Sequence, residues 1–278
     1  MPSHDLKSNR AYNKFMFKQQ RGFATIELIV ALIVLAGLLF VGLKLRKTNP
    51  KTDNTATQTQ SQTMAQNDEP LPLESIGFNL DYYDPTTNHA GDMEFTNVDH
   101  TLSGHIHQIW QDFGQQDTRT SDTTKKNPQP TYVLPLHTKV HALVTGVVTD
   151  VKQLYSNDYT IWMSGFSGSK YTYETEHVDN PSVKKGEHVA GGQIIAEVSD
   201  KDSGITPGFG LLEIGILYTG NSSPQHLCPF QYLDPKIKGD IGKKITALHA
   251  SWEAYYGQKV YDEPFVTPGC VSLDKVNG

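Results

Sequence analysis

Side chains able to bind a metal are concentrated in one stretch of the chain. Histidine and aspartate are dense between residues 81 and 114, which read DYYDPTTNHAGDMEFTNVDHTLSGHIHQIWQDFG. Imidazole and carboxylate groups bind zinc in hydrolytic enzymes, which use three protein ligands and keep one position open for water. The density of these side chains raises the hypothesis of a metal site, although the stretch matches no familiar motif.

The cysteines are the second feature with chemical potential. The chain has two, Cys228 and Cys270, and their separation is far from the C-x-x-C spacing of a thiolate metal site or a redox motif. We therefore predict a disulfide, with two buried free thiols as the alternative. A bridge would close a loop of about 43 residues and stabilise the fold by roughly 4 kcal/mol in the chain-entropy account.

The charge distribution argues against a nucleic-acid partner. Of the 278 residues, the first 51 carry nine Lys/Arg against two acids, which leaves 15 bases and 28 acids in the remainder. Phosphate binding uses clustered Lys and Arg and is opposed by an acidic field. The acidic remainder therefore predicts that the chain does not bind nucleic acid.

The N-terminal region predicts a membrane anchor. Residues 23–43 form an apolar run of 21 residues whose only ionisable group is Glu27, long enough to cross a membrane as a helix. Lys and Arg lie on both sides of it, so they favour an inward N-terminus only weakly. We expect a basic leader over 1–22, a transmembrane helix over 23–47 and a single-pass inner-membrane protein. Its C-terminal domain would lie in the periplasm or outside the cell, where disulfides persist.

The segment KQQRGFATIELIVALIVLAGLL resembles the signal of type IV pilins and pseudopilins. The resemblance implies cleavage between Gly22 and Phe23 by a prepilin peptidase, N-methylation of Phe23, and pairing of Glu27 with a Phe23 amine. The alternative is a plain signal anchor whose Glu27 is solvated near the interface. Residues 48–72 are rich in Thr, Gln, Asn and Pro, which predicts a flexible linker rather than a pilin spine.

Residues 73–278 predict a mainly β domain with one helix near the end. Short β-type runs such as TYVLPL, GVVTDV and LLEIGILY alternate with Gly, Pro, Asn and Asp. Apolar residues then recur at helical spacing before a stop at Gly257. These positions are Ile241, Ile245, Leu248 and Trp252.

Two stretches, LHTKVHALVTGVVTDV and VDNPSVKKGEHVAGGQIIAEV, share an order of β-run, glycine turn and β-run. They resemble the duplicated-hybrid-motif, sandwich-like fold of lysostaphin-type zinc endopeptidases. That family carries a Tyr-x-His-Leu element nine residues before a hairpin glycine, and His177 stands nine before Gly186, with Thr175 and Val178 replacing Tyr and Leu. The resemblance implies that His177 lies beside zinc and assists catalysis. The alternative is a surface histidine at a strand end.

The family's metal ligands are a His-x-x-x-Asp pair and a late His-x-His. The late strand here, GFGLLEIGILY, has no histidine, so Leu211 or Glu213 takes the ligand position. For the first pair the chain offers His105 or His107 with Asp112, although His107 and Asp112 are five residues apart instead of four. A rebuilt zinc site would use these residues and Glu213.

Three functional hypotheses follow. The first is a membrane-anchored envelope protein with a non-catalytic lysostaphin-like domain that binds peptidoglycan or an envelope assembly. The second is a minor pilin or pseudopilin of a type IV pilus or type II secretion system. The third is an active zinc endopeptidase of peptidoglycan. The tryptophans Trp110, Trp162 and Trp252 would suit a glycan groove, but such residues are more often part of the core.

Overall fold

The computed structural model describes residues 69–200 and 206–277. The leader, the apolar run and most of the linker lie outside this range, and with them the predictions for Gly22, Phe23 and Glu27. Within the described ranges, no helix has the length and apolarity that a membrane span requires.

The described residues are mainly β, with one α-helix near the C-terminus, as predicted. A short 3-10 helix (Pro229–Tyr232) precedes that helix, α1 (Pro235–Tyr256). The strands are β1 (His89–Ala90), β2 (Met93–Glu94), β3 (Thr101–Leu102), β4 (His105–Ile106), β5 (Trp110–Gln111), β6 (Thr131–Pro135), β7 (Lys139–His141), β8 (Gly146–Gln153), β9 (Tyr159–Ser164), β10 (Tyr171–Asp179), β11 (His188–Val189), β12 (Ile194–Val198), β13 (Phe209–Tyr218), β14 (Gln225–Leu227) and β15 (Val276–Asn277).

Eleven of these strands form one connected antiparallel sheet. Its main order is β11-β8-β9-β10-β13-β14-β15, while β12 joins β10 to β7 and β6 joins β13 to β5. Side chains alternate between the two faces of a strand. In β13, Leu212, Ile214 and Ile216 are fully buried in the apolar core, which places Glu213 on the opposite face of the sheet.

The two stretches with a common sequence order pair with each other reciprocally. Strands β7 and β8 come from the first stretch, and β11 and β12 from the second. Strand β11 pairs with β8, through His188 opposite Val147, and β12 pairs with β7, through Ile194 opposite His141. Gly186, before β11, has φ of 87°, a conformation that glycine adopts without the steric cost of a side chain. The repeated pattern in the sequence therefore corresponds to a two-fold arrangement of strands.

Helix α1 ends at Gly257, the predicted stop, and is capped at both ends. The Asp234 side chain accepts a hydrogen bond from the Lys236 backbone N–H at 2.8 Å, which caps the first turn. Gly257 ends the helix in a left-handed conformation with φ of 80°. The predicted apolar positions Ile245, Leu248 and Trp252 are buried.

The predicted disulfide is present. Cys228 and Cys270 are both buried, and their sulfur atoms are 2.06 Å apart. Cys270 also forms an isolated bridge with Phe113, so the bond fastens the C-terminal tail to the core.

The last residues of the predicted linker contact the folded domain. The backbone N–H of Leu71 donates to the Tyr173 hydroxyl at 2.5 Å, and the Leu73 N–H donates to the Tyr232 carbonyl at 2.7 Å. Leu73 is fully buried. Ordered contacts with the domain therefore begin before residue 73.

Candidate functional site

Strands β10 and β13 bring glutamates together on the face of the sheet opposite its apolar core. Glu176 lies directly opposite Glu213, and Glu174 lies opposite Gly215. Directly opposed residues of antiparallel strands point to the same face. We call the surface formed by Glu174, Glu176, Glu213 and the residues around them the polar sheet face.

His177 enters this face through an irregularity in β10. The pairing of β10 with β9 shifts register between Thr175 and Val178, and His177 has φ of 60°. A β-bulge of this kind changes the direction of a side chain and is frequent near active sites. His177 Nδ1 lies 2.9 Å from Asp158 Oδ2, and its Nε2 lies 3.9 Å from Glu213 Oε2.

The protonation of the two neighbouring residues follows from burial and charge. Burial alone would lower the pKa of His177, but the hydrogen bond to Asp158 and the charge of Glu213 outweigh it and raise the pKa to about 9. Burial raises the pKa of Glu176 to about 7, and repulsion from Glu174 and Glu213 adds to the rise. At neutral pH the imidazole is therefore charged and donates its Nδ1–H to Asp158.

Further polar side chains surround the carboxylates. His226 Nε2 lies 2.9 Å from Glu174 Oε2, and both side chains are almost fully buried. The Thr131 hydroxyl donates to Glu213 Oε1 at 3.2 Å from the neighbouring strand β6. Trp162, on β9, lies opposite Glu174.

His105 and His107 contact residues that are not among the predicted zinc ligands. His105 Nε2 lies 2.7 Å from the Gln116 carbonyl oxygen. His107 Nδ1 lies 2.7 Å from Asp99 Oδ1 and 2.7 Å from the Tyr256 hydroxyl at the end of α1. Both contacts fix the β3–β4 region against its neighbours.

Asp112 is buried in the core. The Trp110 indole N–H donates to Asp112 Oδ1 at 2.8 Å, and His249 Nε2 lies 3.9 Å from the same oxygen. Burial raises the pKa of Asp112 to about 8, so its carboxyl group is mainly neutral at pH 7. Zinc ligation requires the ionised carboxylate.

The predicted ligands are not gathered into one zinc site. In residues 69–200 and 206–277, no three His, Cys, Asp or Glu side chains are grouped so that they could hold a metal ion. The residues that face Glu213 from the adjacent strands are Thr131 and Glu176. The nearest imidazole, that of His177, already binds Asp158 through Nδ1. Among the described residues, the groups around Glu213 therefore do not supply the three ligands of a hydrolytic zinc site.

The strands hydrogen-bonded to β13 are β6, β10 and β14. The 105–112 stretch does not pair with β13, because its strand β5 pairs with β6. Residue types alone therefore favoured this stretch, whereas strand pairing places other residues beside Glu213.

No family model and no curated protein matches the chain. Similar solved structures include LytU, at 22% identity and a TM-score of 0.34, over 40% of this chain and 74% of that chain. The catalytic domain of the antimicrobial peptidase lysostaphin from Staphylococcus simulans has 16% identity and a TM-score of 0.32, over 40% and 80%. A zinc-containing peptidase from Vibrio cholerae has 20% identity and a TM-score of 0.34, over 54% and 39%. Overlaps of this size do not establish a shared function.

Sequence reasoning selected Glu213 and His177 but missed several residues beside them. Glu174 and Glu176 alternate with Thr175 in YETEH, and two acids on one face of a strand are a detectable signal. Asp158 and His226 carry no such signal, because only the strand pairing brings them to this face.

Proposed function

We propose that this chain is a membrane-anchored envelope protein whose lysostaphin-like domain binds peptidoglycan without cleaving it. The observation that carries the proposal is the polar sheet face, where Glu176, His177 and Glu213 meet beside Thr131. These groups can donate and accept hydrogen bonds to a bound molecule, but they do not form a zinc ligand set. The face therefore has the chemistry of a binding site.

Membrane attachment and processing are part of the same proposal. The apolar run over 23–43 supports a single-pass anchor in the inner membrane, and the Gly22–Phe23 junction supports cleavage by a prepilin peptidase. The linker before residue 69 supports a tethered domain rather than a filament subunit. The minor-pilin alternative predicts that Glu27→Ala abolishes entry into a filament. A tethered domain would be unaffected.

The test is co-sedimentation of the full-length chain with purified peptidoglycan sacculi. We expect the wild-type chain to sediment with sacculi and to release no soluble fragments, even with added zinc. Glu213→Gln should weaken binding about tenfold, because hydrogen bonds to a charged group are worth about 1.5–3 kcal/mol. Glu187→Gln, which makes the same charge change in the turn before β11, is the matched control.

Two results would reject the proposal. Zinc-dependent release of soluble fragments would replace it with the endopeptidase hypothesis. Failure of the wild-type chain to sediment would remove peptidoglycan as the partner and leave an envelope assembly as the next candidate.

A further inference from the structure

Helix α1 and the C-terminal tail line an apolar groove, which we call the α1 groove. It has a volume of about 630 Å³, and its lining includes Phe230, Ala247, Ala250 and Pro268. A Cβ atom added at Gly239, which also lines the groove, would meet no atom within 4 Å. The small residues on this side of α1 therefore leave room for another segment of chain.

The described part of the chain begins at one end of this groove. A second cavity, of about 530 Å³, is lined by Glu69 and Pro70 and shares Leu233, Lys238 and Gly239 with the α1 groove. The bond between residue 68 and Glu69 therefore attaches the predicted linker to the domain beside the groove.

The end of the linker is long enough to extend along the groove. Lys238 and Ala250, which both line it, are twelve residues apart on α1. At 1.5 Å per residue this distance is about 18 Å. Residues 64–68 can span up to about 17 Å when extended. Five residues of linker are therefore enough to occupy the groove.

The composition of this segment matches an apolar surface. Residues 64–68 read MAQND, and Met64 is the one large apolar side chain in residues 51–68. Methionine is unbranched and flexible, so it fills irregular apolar spaces. Moving its side chain out of water into the groove is favourable.

The charges of the groove and the segment are also complementary. Lys238 and Lys243 line the groove and are exposed, and no carboxylate lines it in the part of the chain that the structure describes. The neighbouring acid on α1, Asp240, pairs instead with Lys244 at 2.9 Å. Asp68 would bring a negative charge to this positive surface. The groove therefore favours an apolar segment that carries an acid.

We propose that the α1 groove binds residues 64–68 of the same chain, with Met64 against its apolar lining and Asp68 beside Lys238. This docking continues the contacts that Leu71 and Leu73 make with the domain through their backbone N–H groups. It attaches the end of the tether to α1 and closes the groove to other partners. The proposal does not depend on what the polar sheet face binds, because the two surfaces share no residue.

The test is NMR of the full-length chain in lipid nanodiscs, with ¹³C in the methionine methyl groups. Loss of one signal in Met64→Ala identifies the Met64 methyl group. We expect its chemical shift to differ from that of free methionine and its relaxation to resemble that of Met93, which is fully buried. Gly239→Leu fills the groove and should move the signal to the free position. Ala254→Leu, at an exposed position of α1 outside the groove, is the matched control and should leave it in place.

A double-mutant cycle tests whether Met64 and the groove are coupled. Met64→Ser should lower the thermal midpoint by about 2–4 °C in the wild-type chain. The same substitution should have no effect in the Gly239→Leu background, where the groove is already filled. An equal loss in both backgrounds would show that Met64 packs elsewhere and would overturn the proposal.

Two NMR results would also overturn it. The first is a Met64 signal at the free-methionine position in the wild-type chain. If Gly239→Leu then halved the mass measured by light scattering, the occupant of the groove would be a second copy of the chain. The second is a shifted Met64 signal that Gly239→Leu leaves unchanged.

Discussion

Replacing Asp112 with asparagine should stabilise the domain, and the gain should depend on pH. Asp112 is 3% exposed, and burial raises its pKa from 3.8 to about 8. Between these two pH values the folded chain keeps a proton that the unfolded chain has lost. Stability therefore falls as pH rises from 3.8 to about 8, because the unfolded state binds fewer protons over that interval.

The size of the destabilisation by Asp112 follows from the pH interval over which only the unfolded chain ionises this group. Between pH 3.8 and pH 7, a little over 3 units, the free energy of unfolding falls by about 1.4 kcal/mol per unit. The total is as much as about 4 kcal/mol at pH 7. Asparagine has the same shape and keeps an oxygen for the Trp110 indole N–H, which donates to Asp112 Oδ1 at 2.8 Å. Asp112→Asn should thus leave stability unchanged near pH 3 and increase it progressively up to pH 8.

The assay is guanidinium unfolding followed by tryptophan fluorescence at pH 3, 5, 7 and 8. Asp117→Asn is a control of opposite sign. The hydrogen bond and charge of Arg119 hold the pKa of Asp117 at about 2, so its ionised form stabilises the fold above pH 3.8 and this contribution is lost as pH falls towards 2. Asp117→Asn should therefore destabilise the chain at pH 7. If Asp112→Asn also destabilised it at pH 7, Asp112 would be ionised and paired, as a metal ligand would be, and the reasoning would be refuted.

Three further predictions concern the disulfide, the histidine and zinc. Replacing both Cys228 and Cys270 by alanine should lower the free energy of unfolding by about 4 kcal/mol, and unchanged unfolding by guanidinium would contradict this. Asp158→Asn should move the pKa of His177 from about 9 towards 6.5, measured by NMR titration of the ring protons. A pKa that stays near 9 would mean that Asp158 is not the group that raises it. Elemental analysis after dialysis should find far less than one zinc per chain. One zinc per chain, lost in His107→Ala, would restore the sequence-based metal site.

The sequence predicted those features that depend on nearby residues. The mainly β content follows from alternation and turn residues within short windows, and α1 follows from four apolar positions followed by Gly257. The disulfide followed from there being only two cysteines. The sequence also indicated the relation between β7–β8 and β11–β12, because the two stretches that contain them repeat one pattern.

The chemistry of the site depended on residues that are distant in sequence. His177 and Glu213 were recognised as candidates, but Glu176 faces Glu213 only because of the register of β10 on β13, and Thr131 faces it only because of β6. A shift of one residue in either pairing would place different side chains there. No local pattern specifies that register.

The difference between local sequence and long-range packing also explains the contacts of residues 105–112. The sequence by itself determined that His105, His107 and Asp112 are present, close together, and chemically able to bind a metal. Only the tertiary structure decided that His107 meets Asp99 and Tyr256 and that Asp112 is enclosed among aromatic side chains. Residue type sets what a side chain can do in water, whereas burial and long-range packing set its protonation state and its partners.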